Sequence, residues 1–468
     1  RKVYFLRQII QRDNLCKATS TSAVMEHVPT VFFLLSTFFI AVSVESLPPP
    51  LFPDEALPTK SGYLPIKPAP GSFMFYTFYE AQKPTSPLPD TPLVVWLQGG
   101  PGCSSMIGNF YELGPWRVMS RATELERNPG AWNRIFGLLF LDNPIGVGFS
   151  IAASEEHIPT NQRQVAEHLY LALVEFLDQN PGFEHRPVYF TGESYAGKYV
   201  PAIGYYILKE KPNGKVNLKG LAIGNGLTDP VTQIQTYAVN LYYSGLVNAK
   251  QKNELEKAQE ISVALVKAQK WREAADARYE LLALIGNMTG LATLFNAARS
   301  IPYRTDFVVD LMNTRETKRV LGVSETARFE ECSDDVDELF REDVMKSAKF
   351  MVEYAVERTS VLLYQGMLDL QDGVVSTEEW MKTMNWSDLG MFLSAERRLW
   401  KDIGGVVAGY VQRWGNLSHV AVPGAGHFVP SDKAVNSRDM IEDWVLGKGL
   451  FGGEAVKQTT CSGFTKSY

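Results

Sequence analysis

Cysteine is scarce: Cys16, Cys103, Cys332 and Cys461 are the only four in 468 residues, few for a secreted chain of this size. Long basic runs are missing too. With 46 basic against 52 acidic residues and a formal net charge of -6, the composition argues against a nucleic-acid partner. No internal repeat and no phosphate-cradling glycine loop is found. Only one apolar run approaches the length of a membrane span, and it lies near the N-terminus.

That run spans residues 31–42 and follows Met25, the first methionine, in a chain that begins with Arg1. Small residues Ser43 and Ser46 come next, at plausible cleavage points. Length and order predict a secretory signal peptide over 25–46, although its leading segment has no Lys or Arg. Residues 1–24 are then expected to be translated upstream sequence or a non-native extension. The run is short for a spanning helix, so no stable membrane anchor is expected. With Cys16 outside the mature protein, three cysteines remain and one lacks a partner. Sequons at Asn287, Asn385 and Asn416 fit a secretory route as glycosylation sites.

What the chain does have is a large apolar fraction, 45%, enough for a substantial core. Its pattern centres on Pro187-Val188-Tyr189-Phe190-Thr191-Gly192-Glu193-Ser194-Tyr195-Ala196-Gly197-Lys198-Tyr199. An apolar, β-branched and aromatic run predicts a buried strand, and a helix can start at Ala196. A serine at such a strand-to-helix corner matches a nucleophile elbow. The elbow pattern wants glycine two residues after the serine; Ala196 stands there and Gly197 follows. A glycine-bearing turn after a core strand accounts for this stretch alone equally well.

Around it, strands are expected at 61–66, 72–79, 93–97, 138–142, 218–223, 360–364, 407–413 and 417–422. Val165, Leu169, Leu173, Phe176 and Leu177 recur at helical spacing within 161–179, which Pro181-Gly182 closes. Strands alternating with helices across 90–225 predict an α/β fold with a mostly parallel sheet. A helical insertion is expected at about 230–350, between the serine strand and the later ones, and a closing helix at 432–446. The heptads in 249–285 are not sustained, so an insertion over the sheet is the plainer reading than a coiled coil.

Ser194, then Asp369 after a later strand, then His427 in a Gly-rich loop after the last, is the chain order of the α/β-hydrolases. A serine hydroxyl is a weak nucleophile. It needs an imidazole to take its proton and a carboxylate to hold that imidazole's tautomer. Asp372 is a rival for the acid, but Asp369 closes the strand directly.

Four separated blocks now make the chain resemble the serine carboxypeptidase family over about residues 60–450. They are Trp96-Leu97-Gln98-Gly99-Gly100-Pro101-Gly102-Cys103-Ser104-Ser105, Gly192-Glu193-Ser194-Tyr195-Ala196-Gly197, Gly366-Met367-Leu368-Asp369 and Gly424-Ala425-Gly426-His427-Phe428-Val429-Pro430. The resemblance implies an α/β-hydrolase fold, with Ser194 as nucleophile, His427 as base and Asp369 as its orienter. It implies an oxyanion hole from the backbone N–H groups of Gly100 and Tyr195. It further implies that Gln98, Glu112 and Glu193 bind a peptide's terminal carboxylate, with two crowded carboxyls sharing a proton. The family usually has Asn where this chain has Gln98, and the extra methylene is expected to shift that clamp. A Cys103–Cys332 disulfide is also implied, with Cys332–Cys461 as the alternative pairing. On this reading the protein is a secreted or vacuolar enzyme acting on peptides best at acid pH, with neither metal nor organic cofactor. An acyltransferase using the same triad, and a non-catalytic scaffold, are the competing readings.

Overall fold

The computed structural model describes residues 52–120 and 124–452. The expected signal peptide, the segment before it, Cys16 and Cys461 lie outside those residues. Among them, the strands in chain order are β1 (Lys60–Pro65), β2 (Phe73–Tyr79), β3 (Leu93–Leu97), β4 (Trp116–Val118), β5 (Leu125–Arg127) and β6 (Gly137–Leu141). They continue as β7 (Val188–Glu193), β8 (Leu218–Gly224), β9 (Ser360–Gly366), β10 (Arg397–Lys401), β11 (Val407–Trp414) and β12 (Leu417–Val422). β4 and β5 form a separate ribbon, and the other ten make one sheet ordered β1-β2-β6-β3-β7-β8-β9-β12-β11-β10. From β6 to β12 all neighbours are parallel. The outer strands on both sides are antiparallel. This is the α/β-hydrolase architecture.

The apolar runs dictate which strands are central. All five residues of β3 are buried, as a strand covered on both faces requires. Leu93, Val95 and Leu97 enter one core with Val165, Leu169, Leu173 and Phe176 of the Gln162–Asp178 helix. Val94 and Trp96 enter the other core with Met440 and Ile441 of the Ala434–Leu446 helix. Asn161 caps the first of these helices by accepting from the Gln164 N–H at 3.1 Å.

Between β8 and β9 the chain leaves the sheet as a run of helices that includes Ala249–Lys267 and Trp271–Thr289. Asn248 and Gln251 make a reciprocal capping box at the start of the first, and Gly290, at φ 64°, ends the second. The two pack as a helical hairpin, with the Ser262 hydroxyl donating to the Ala274 carbonyl at 3.0 Å.

Every predicted strand is present within two residues of its expected bounds. Elements not expected include the β4–β5 ribbon, the π-helical turn Gly108–Leu113, the helices Val374–Met381 and Leu389–Ser394, and the edge strand β10. β10 reads Arg-Arg-Leu-Trp-Lys and buries only Trp400. A charged, exposed edge carries almost no apolar alternation to read.

Candidate active site

The turn after β7 is tied on all sides. Ser194 adopts φ 60°, the left-handed region that a non-glycine residue occupies only under constraint. Its N–H donates to Gly224 at 3.1 Å, while its carbonyl accepts from the N–H groups of Gly197 and Leu227, both at 2.8 Å. Small residues make this possible. A Cβ on Gly197 would meet Gly226 Cα at 2.7 Å, and one on Gly192 would meet Ala196 Cβ at 2.7 Å. Glycine is therefore needed at 192 and 197, whereas Ala196 has room for its methyl against Gly192.

The loop after β3 presses on the same turn. A Cβ on Gly99 would lie 2.6 Å from the Tyr195 nitrogen and 2.7 Å from Ser194 Cβ. Gly100 adopts φ 117°. Among the described residues, neither the Gly100 nor the Tyr195 N–H donates to a backbone carbonyl. Two uncommitted amides therefore lie on adjoining turns beside the serine, which is half-buried.

β9 and β12 are parallel neighbours, and their C-terminal loops bring Asp369 and His427 together. His427 Nδ1 donates to Asp369 Oδ2 at 2.7 Å, while Nε2 is buried without a partner. The same carboxylate accepts from Asn225 Nδ2 at 2.8 Å and, through Oδ1, from the Gln371 N–H at 2.9 Å. Burial opposes the charged imidazole, but the charge and hydrogen bond of Asp369 outweigh it and raise its pKa above the usual value. Asp372 is also buried, yet it accepts from Gln233 Nε2 at 2.9 Å and lies 4.0 Å from Arg278. The structure thus places Asp369, not Asp372, on the imidazole.

Gln98, Glu112 and Glu193 also converge. Gln98 Oε1 accepts from the Trp96 indole at 2.9 Å and the Gly108 N–H at 3.1 Å. Its Nε2 donates to Glu193 at 2.7 Å and reaches Glu112 at 3.4 Å. The longer side chain is accommodated by anchoring its carbonyl on Trp96 and on the π-helical turn that carries Glu112. Glu112 and Glu193 are 0% and 1% exposed. Burial raises the Glu112 pKa to about 7, against the lowering effect of hydrogen bonds from Glu193 and Gln98. Burial and the neighbouring Glu112 charge push Glu193 well above its usual value. One proton shared between them removes the repulsion. Glu112 Oε2 has no partner.

Reading the sequence alone missed two residues here. Asn225, in Gly224-Asn225-Gly226, shows the signal of a turn but not of an acid's partner; φ 40° aims it so that Oδ1 also accepts from the Gly366 N–H at 3.1 Å. Phe295 stacks on the imidazole with centroids 4.4 Å apart, and its carbonyl accepts the His427 N–H at 2.7 Å. Nothing in the pattern around 295 points to it.

Cys103 and Cys332 are joined, which fixes the end of the Gly99–Gly102 loop. Asn287, Asn385 and Asn416 are exposed. Asn416 Nδ2 donates to the Val356 carbonyl at 2.9 Å, and Ser418 of that sequon is buried in β12. Among the described residues no cluster of His, Cys, Asp or Glu has metal-site geometry, and no helix is long and apolar enough to cross a membrane.

Comparison with known proteins matches residues 50–447 to the family model described as serine carboxypeptidase. The chain is 84% identical over 438 residues to serine carboxypeptidase-like 50 of Arabidopsis thaliana, covering 94% of this chain and 99% of that protein. It is 36% identical over 408 residues to the venom serine carboxypeptidase of Apis mellifera, covering 85% and 86%. Among solved structures, a prohormone-processing carboxypeptidase from Saccharomyces cerevisiae superposes with a TM-score of 0.72 at 26% identity, covering 83% of this chain and 92% of that one.

Proposed function

The chain belongs to the serine carboxypeptidase family, and from that premise we propose that it releases C-terminal residues from peptides through an acyl-enzyme on Ser194. The observation that carries this reading is the buried Glu112–Glu193 pair on the Gln98 amide, with Glu193 directly preceding Ser194. A proton-sharing carboxyl pair can donate to a terminal carboxylate, which an ionised pair would repel. It selects chain ends over interior peptide bonds.

Ser194 Oγ attacks the last peptide carbonyl as His427 Nε2 takes its proton, and Asp369 stabilises the resulting imidazolium. Charge on the carbonyl oxygen falls to the Gly100 and Tyr195 amides, each such donor being worth about 2.7–4 kcal/mol in comparable sites. His427 returns the proton to the departing amine, and water then releases the acyl group by the same route. The disulfide and the venom relative support the secretory pathway. On the same reading, residues 47–468 form one hydrolase domain with the helices of about 230–350 inserted in it.

The test is release of free amino acid from an N-acylated dipeptide across pH 4–8, with Ser194→Ala as control. Release that falls as the pH rises past neutrality, where Glu112 ionises, and that vanishes in the mutant is expected. Absence of release while a fluorophosphonate still labels Ser194 would sink the peptidase and favour acyl transfer to an alcohol. Absence of labelling would favour a scaffold.

A further inference from the structure

The residue after the nucleophile is gripped by its side chain as well as by its backbone. The Tyr195 hydroxyl donates to Asp343 Oδ2 at 2.5 Å, and Gln162 Nε2 donates to the same oxygen at 2.7 Å. Lys198 Nζ lies 3.5 Å from that oxygen. It also donates to the carbonyls of Asp343, Val344 (2.9 Å) and Lys346 (2.6 Å). All four side chains are buried. They come from three places: the start of the Gln162–Asp178 helix, the nucleophile turn with the helix it opens, and the bend where the chain returns from the helices after β8. None of the steps above uses Lys198, Asp343 or Gln162.

A buried ion pair adds little net stability over apolar packing of the same volume; what it adds is a defined geometry. Here the geometry bears on one atom in particular. The Tyr195 N–H adjoins a serine held at φ 60°, and such a conformation persists only where its surroundings over-determine it. An oxyanion donor, in turn, acts at full strength only when fixed at hydrogen-bond distance from the developing charge.

We propose that Asp343, held by Lys198 and Gln162, is a positioning residue: through the Tyr195 hydroxyl it fixes the Tyr195 backbone N–H as an oxyanion donor beside Ser194. The inference rests on the preceding reading only in taking Ser194 as the nucleophile. The cluster also makes the return of the helical segment to the sheet a condition for a competent nucleophile turn.

The test compares wild type, Tyr195→Phe, Asp343→Asn and the double mutant by the second-order rate of Ser194 labelling with a fluorophosphonate, and by kcat and KM on the blocked dipeptide. Tyr195→Phe is expected to lower both the labelling rate and kcat about 10-fold, less than the ~100-fold of a full 1 Å misplacement, with KM changed less than about 2-fold. The double mutant should be no slower than the slower single mutant, because both changes act on one link, Tyr195→Phe removing its donor and Asp343→Asn the charge of its acceptor. A Tyr195→Phe protein within about 2-fold of wild type, or single losses that multiply in the double mutant, would overturn the proposal. Should Asp343→Asn fail to fold, Tyr195→Phe decides alone, since it removes one oxygen atom. A wild type that labels normally but releases no amino acid overturns the peptidase reading and leaves the labelling comparison standing. A wild type that is not labelled overturns both.

Discussion

At the scale of the residue, the amide of Gln98 is oriented from behind. With its oxygen held by Trp96 and Gly108, only its nitrogen can face the two carboxyls. Gln98→Asn shortens the arm and cannot serve both ends. KM for a blocked dipeptide should rise about 10-fold with kcat within about 2-fold, the signature of lost ground-state binding, read by steady-state kinetics. The same pair sets a pH dependence. Below about pH 7 Glu112 holds its proton in the folded enzyme, and above it the carboxylate repels the substrate's own, so KM should climb through neutrality. Stability follows the same sign. The folded pKa lies above the unfolded value of 4.5, so the folded chain binds more protons between 4.5 and about 7, and its stability falls as pH rises through that window. Glu112→Gln should therefore raise the melting temperature more at pH 8 than at pH 5. The residue types of this site could be read from the motif blocks. The orientation of the amide could not, because it depends on an indole and a π-helical turn that no periodicity announces.

At the scale of the element, the strands were legible because a buried parallel strand is an almost unbroken apolar run, as in Leu93–Leu97. β10 escaped because three of its five residues are Arg or Lys. The helix behind the serine shows what small residues contribute. Gly197→Ala would place a methyl 2.7 Å from Gly226 Cα and from the Leu227 nitrogen, pushing Ala196–Tyr205 off the β8 loop. A loss of about 1–3 kcal/mol is expected from such overpacking, seen as a lower denaturant midpoint, with slower labelling of Ser194. Asn225 makes the complementary case at the end of β8. Asn225→Ala leaves the Gly366 N–H and one side of Asp369 unpaired and should cost about 1–3 kcal/mol. Chemical denaturation would measure it.

At the scale of the whole molecule, the Cys103–Cys332 bond closes a separation of 229 residues and pins the glycine loop after β3 to the link between the helices Arg315–Leu321 and Asp334–Leu339. Cys103→Ser with Cys332→Ser should lower stability by about 2–5 kcal/mol, by analogy with other native disulfides, as read by thermal or denaturant unfolding. Pairing of these two could be inferred only by resemblance. Spacing alone left Cys461 as a rival. Equally invisible was the path of the chain at residues 294–297, which runs between the loops that carry Asp369 and His427. Leu370 donates to the Leu294 carbonyl at 3.1 Å, Ala297 to Leu368 at 2.9 Å, and His427 to Phe295 at 2.7 Å. Contacts that distant in sequence leave no local pattern.

That ordering also has a consequence in time. Among the described residues β12 is the last strand in chain order, and the imidazole on its loop arrives at position 427. On the proposed mechanism, a chain emerging from the ribosome carries Ser194 for more than two hundred residues before His427, its base, is made. Asp369, its partner, must likewise wait for the helices after β8 to be laid down. On the mechanism proposed above, the chain therefore stays inert until His427 has been made, and its chemistry switches on only once β12 has joined the sheet.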